Sequence, residues 1–257
     1  MSEDAKRAIH ALRRAHDELV RIAEHLDADA LTRQSGSSEW TVADVLGHLG
    51  SASEIGLTRV TTGKSGGDAA TAIWNRWNAM EPAEKAAGFV SASRRLVEAL
   101  EALDADSLAA TRIDVGFLPQ PIDVAFYTRM RLTEVGLHRW DIEVAFDPAA
   151  TVADYIVPFI LAQLPFFCGR LARPAGKAGR VAVQTADPQR SYTLDVRPDG
   201  AGLTEGGGGD AGTRLALPAE AFTRLATGRL APSHTPASVG VEGELSLDDL
   251  RRVFPGY

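Results

Sequence analysis

The stretch "RMRLTEVGLHRWDIEVAF", Arg129 to Phe146, has the spacing of an amphipathic helix, yet it carries Glu134, His138 and Asp141 on its apolar side. An α-helix turns about 100° per residue, so positions four and seven apart return to within roughly 40° and 20° of one another. Tyr127, Met130, Leu137, Ile142 and Ala145 therefore share a stripe with Glu134, His138 and Asp141, while Thr128, Arg129, Gly136, Arg139 and Glu143 form the face expected to meet water. A polar group buried without a partner costs about 1 to 3 kcal/mol or more. These three side chains need partners, which a metal or one another can supply.

A second helix reads from "WTVADVLGHLGSASEIGLTRV", opened by Thr41 with Asp44 three residues on, the pattern of a capping box. His48 lies at the margin of its apolar stripe (Val42, Val45, Leu49), one turn after Asp44. If the two helices face each other in a bundle, His48 can meet Glu134 and His138. Two imidazoles and a carboxylate suffice for a divalent transition metal and leave at least one coordination position open, as catalysis requires. Asp141, one turn beyond His138, can orient that imidazole from behind. A Glu–His hydrogen bond inside a plain core satisfies the same burial rule, and these residues alone leave both readings open.

The composition of the 257-residue chain, 45% hydrophobic and 24% charged, is that of a soluble globular protein of one large or two ordinary domains. A net charge of −7 without any cluster of Lys and Arg argues against a nucleic-acid partner. The first 26 residues alternate charge with Ile9, Leu12, Leu19, Ile22 and Leu26 and lack the apolar core of a signal peptide. The greasiest segment, "YIVPFILAQLPFFCGRLA", is interrupted by Pro158, Gln163 and Pro165 and is too short to span a bilayer comfortably. The expected address is the cytoplasm, with no membrane partner, as a monomer or homodimer. The single cysteine, Cys168, excludes an internal disulfide and reads as a buried structural thiol.

From the N-terminus to about Arg173 the chain reads as helices: residues 3–27, the Trp40–Val60 segment, a short one around "TAIWNRWNAM", Pro82–Leu103, and Pro121–Phe146, ended by Asp147-Pro148. After Pro174, "RVAVQTAD", "SYTLDVRPDG" and "ASVGVEG" are strand-like runs, with helices at "PAEAFTRLATG" and "LSLDDLRRVF". The expected class is α plus α/β: a helical bundle over 1–150 and a small mixed α/β domain over 151–257. "EGGGGDAG", 205–212, lacks the Lys-Ser/Thr of a phosphate loop and is expected to be a flexible hairpin. Trp74 and Trp77 in "IWNRWNAM", with Asn75 and Asn78, can wall a cofactor or substrate pocket or simply fill a core. His10, His16, His25 and His234 share no face or spacing that suggests ligation and read as surface or satisfied residues.

"EWTVADVLGHL" together with "RLTEVGLHRWDIEVA" resembles the paired signature of the DinB-like, mycothiol-dependent maleylpyruvate isomerase family of actinobacteria. "VRPDG", "LATGRL" and "GVEGELSLDDLRRVFPG" are similar to the α/β domain, related to sterol carrier proteins, that such enzymes append. The resemblance covers nearly the whole chain. It implies a four-helix bundle with His48, Glu134 and His138 as metal ligands, zinc being the expected ion. It also implies mycothiol as the thiol cofactor, bound at the open position with its pKa lowered so that a thiolate exists at neutral pH. That thiolate would add to the double bond of maleylpyruvate, allow rotation, and leave to give fumarylpyruvate, or would instead stay attached to a small electrophile in thiol S-transfer. Arg229, which follows a glycine as in the similar domain, either holds a substrate carboxylate bidentately or caps a helix end at the surface. Two rival readings are a non-catalytic metal-containing binding or stress-response protein, and a metal hydrolase using Asp141 or Asp44 as general base.

Overall fold

A computed structural model describes residues 2–37 and 39–256, and the chain divides into two compact units between Asp147 and Pro148. The first unit holds α1 (Ser2–Ala23), α2 (Ala28–Thr32), α3 (Val42–Thr62), α4 (Gly67–Asn78), α5 (Pro82–Glu101), α6 (Ala105–Ala110), the two-residue strands β1 (Arg112–Ile113) and β2 (Ile122–Asp123), and α7 (Val124–Glu143). Its four long helices close a ring in which α1 packs on α5, α5 on α3, α3 on α7 and α7 on α1. Leu12 and Leu19, Leu46 and Leu49, Phe89 and Leu100, and Leu132 and Ile142 fill its centre. This is the expected four-helix bundle, with α2, α4, α6 and the β1–β2 ladder as additions.

Local chemistry sets the helix ends. Thr41 and Asp44 form the reciprocal capping box that starts α3, Pro82 opens α5, and the Asp123 side chain caps α7 by accepting from the Phe126 N–H. Both ring neighbours cover α7, and this corrects one expectation. Thr128 and Gly136, assigned above to the solvent face, are buried, while Arg139 is ion-paired with Glu18 of α1 and Arg129 with Asp4. A helix between two others has two inward faces, so its polar residues do not mark a single outer stripe.

The second unit holds α8 (Val157–Leu171), β3 (Gly179–Ala186), β4 (Arg190–Arg197), β5 (Gly200–Glu205), β6 (Thr213–Pro218), α9 (Ala219–Ala226), β7 (Gly240–Gly243) and α10 (Leu247–Val253). The sheet order is β5-β4-β3-β6-β7, with β6 parallel to β3 and the other neighbours antiparallel. Val181 and Val183 on β3 and Tyr192, Leu194 and Val196 on β4 alternate inward, while α8 packs on β5 and α9 on β3 and β6. Strands β5 and β6 flank the 205–212 segment, as a hairpin there requires. The 205–212 segment is not a hairpin, because β5 and β6 are not neighbours; it carries the chain from the sheet edge to the far side of β3. Among the described residues no helix is long and apolar enough to cross a membrane.

Candidate metal centre

Adjacent in the ring, α3 and α7 bring His48 opposite Glu134 and His138, which lie one turn apart. One ligand atom from each falls within 4.8 Å of the others, and this is the one such His/Cys/Asp/Glu group among the described residues. His48 Nε2 is 3.2 Å from Glu134 Oε1, and the two imidazole rings meet edge to face at 4.8 Å between centroids. His138 Nδ1 is hydrogen-bonded to Asp141 Oδ2 at 2.8 Å, which leaves Nε2 as the nitrogen on the far side of the ring. Asp141 is wholly buried behind His138.

Two further residues complete the site. Trp40, immediately before the α3 cap, has its ring tilted 4.9 Å from that of His48 and stacked 5.8 Å from that of His138. Arg131, one turn before Glu134, is ion-paired with Glu134 Oε2. Burial pushes the Glu134 carboxyl up, but the Arg131 guanidinium, the hydrogen bond from His48 and the charges of both histidines outweigh it and hold it well below the usual carboxylate range. Exposure is graded: Asp141 and Arg131 are sealed at the base, while His48 and Glu134 are half-buried and open the site on one side. Arg131 and Trp40 are not among the site candidates that the sequence offers. The available signals were an arginine three residues before Glu134 on one helix face and an aromatic next to a capped helix start.

The other candidates lie elsewhere. Asp44 is fully engaged, with Oδ2 accepting from the Thr41 N–H and hydroxyl and Oδ1 from Lys85 Nζ at 2.7 Å, so it is a cap and not a general base. The tryptophan pair is split. Trp74 is exposed, whereas Trp77 is 3% exposed and donates Nε1–H to Glu54 Oε2 at 2.9 Å. Its ring fills a cradle between Gly50 of α3 and Gly88 of α5, where an added Cβ would come within 2.2 Å and 2.8 Å of it. Trp77 is core, a correction to the shared pocket wall. Arg229 belongs to the second unit, where its N–H donates to Arg224 O at 2.7 Å and Nη1 to Thr227 O at 3.1 Å. Gly228 before it has φ +73° and lies so close to Gly256 that a Cβ would meet that backbone at 2.2 Å, so the turn presenting Arg229 requires glycine. Cys168 is buried in α8, which pushes its thiol up to about 11.

The family model described as the Mycothiol maleylpyruvate isomerase N-terminal domain matches residues 12–143, and the MDMPI C-terminal domain matches residues 154–248. Among solved structures, the crystal structure of the mycothiol-dependent maleylpyruvate isomerase is similar with a TM-score of 0.67 at 12% identity, covering 94% of this chain and 95% of that one. A histidine-to-alanine mutant of that enzyme matches with a TM-score of 0.67 at 13% identity, over the same shares of the two chains. No curated protein sequence matches the chain. The first family model alone spans half of the sequence and contains every residue of the His48, Glu134 and His138 group, and the chain belongs to the mycothiol maleylpyruvate isomerase family.

Proposed function

We propose that this protein is a metal- and mycothiol-dependent isomerase that converts maleylpyruvate to its trans isomer. The observation that carries the reading is the convergence of His48, Glu134 and His138 from facing helices, with Asp141 behind His138. The donor set fits a divalent ion: two imidazoles and a carboxylate suit zinc, and three protein ligands leave a position for a thiol. A divalent ion held there supplies the charge that draws a thiol's pKa down, so that the thiolate is available at neutral pH.

The chain's own residues do the rest. Asp141 accepts the Nδ1–H of His138 and so fixes the tautomer in which Nε2 carries the lone pair. Trp40, packed on both imidazoles, limits their rotation and shields them from water on that side. In this reading Trp74 contributes an apolar wall. The test is turnover of maleylpyruvate with mycothiol by wild type and His138→Ala. Isomerisation lost in the variant supports the reading. Unchanged turnover removes the metal from the mechanism, hydrolysis without thiol points to a hydrolase, and accumulation of a thiol adduct points to S-transfer.

A further inference from the structure

Arg131 is costly where it stands. Its side chain is 6% exposed, and its ion pair with Glu134 Oε2 is the one hydrogen bond its guanidinium makes among the described residues, Nε being buried without a partner. The hydroxyl of Tyr127, one turn earlier and also buried, has no hydrogen-bond partner there either. A buried arginine kept only to build the core has its donors taken up, as those of Arg224 are by Glu220 and the His234 carbonyl. Arg131 commits its charge to one oxygen of one carboxylate.

That oxygen is not the one that meets His48. Oε1 of Glu134 lies 3.2 Å from His48 Nε2, while Oε2 is held by Arg131. We propose that Arg131 is a positioning residue that makes Glu134 a single-oxygen ligand through Oε1. It denies Oε2 to the ion and so preserves the coordination positions that thiol and substrate need. A carboxylate free to turn can chelate through both oxygens and fill a position that catalysis requires open. The proposal rests on the metal reading above, and its test separates the two.

Cobalt(II) reports coordination number, because four-coordinate sites absorb visible light strongly and five- or six-coordinate sites weakly. Wild type, Arg131→Met and Arg131→Lys are loaded with cobalt, and mycothiol is titrated into each by calorimetry. The expected result is equal cobalt stoichiometry, visible absorption several-fold weaker in Arg131→Met, thiol affinity about tenfold lower, and recovery of both in Arg131→Lys. A merely structural role would lower the melting temperature of the metal-free variant and leave the cobalt spectrum of the folded protein unchanged. An unchanged spectrum therefore overturns the proposal. Wild type that takes up no cobalt overturns the metal reading and this inference with it. If Arg131→Met does not fold, X-ray absorption of zinc-loaded wild type decides: one carboxylate oxygen in the nearest shell supports the proposal, and two overturn it.

Discussion

Two buried polar clusters on helices, one in each unit, make opposite uses of similar parts. In α9, Glu220 and Arg224 are four residues apart and form a fork, both carboxylate oxygens accepting from the guanidinium at 2.7 and 2.8 Å. In α7, Glu134 is shared between Arg131 on its own helix and His48 on another, and His138 and Asp141 extend the line. The first cluster has donors and acceptors in balance and is closed. The second gathers three ligand atoms at a half-exposed point. Burial of charge alone does not mark a functional site; the direction and surplus of lone pairs do.

The largest effect that tests this contrast is on the closed pair. Glu220→Ala leaves Arg224 buried and uncompensated and is expected to cost about 3–5 kcal/mol in the unfolding of the second unit, read by urea denaturation. Replacing both residues by apolar ones of similar size, Glu220→Leu with Arg224→Met, is expected to be near neutral or stabilising. A double variant as unstable as the single one would mean that the pair does more than balance itself. In the open cluster, Asp141→Asn is expected to lower zinc affinity about 10- to 100-fold, measured by competition with a chelating dye. An unchanged affinity would reduce Asp141 to core filling.

A smaller effect concerns a histidine outside the cluster. His16 is buried, with Nδ1 2.8 Å from Ser93 Oγ, and burial lowers its pKa from the ordinary histidine value. The unfolded chain then binds the proton first, so stability rises with pH. The contribution is complete above about pH 6.5 and is lost as pH falls through the lower folded value. Denaturation at several pH values is expected to show a slope over that window that His16→Gln flattens. The smallest effect is chemical: Cys168, buried with its thiol pushed up, should resist Ellman's reagent in the native protein and react on unfolding.

Much of this was legible in the sequence because periodicity reports packing faces. His48, Glu134, His138 and Asp141 stood out as polar residues on apolar stripes, and Thr41 with Asp44 announced the start of α3. The solvent face of α7 is not legible in the sequence, because its charged residues are satisfied by ion pairs to α1, a long-range fact that a single helix does not encode. Strand β6 alternates correctly, with Thr213, Leu215 and Leu217 inward, but its parallel pairing with β3 is set by tertiary register. Trp77 could be placed in the core only once Gly50 and Gly88, from two other helices, were seen around it.

The most direct test of the metal centre is elemental analysis of purified wild type, His48→Ala and His138→Ala, with mycothiol titrated calorimetrically into each. About one divalent ion per chain is expected in wild type, lost in both variants together with thiol binding. A folded wild type without metal, giving no heat with mycothiol, would contradict it and leave Glu134 and the two histidines as hydrogen-bond partners of one another.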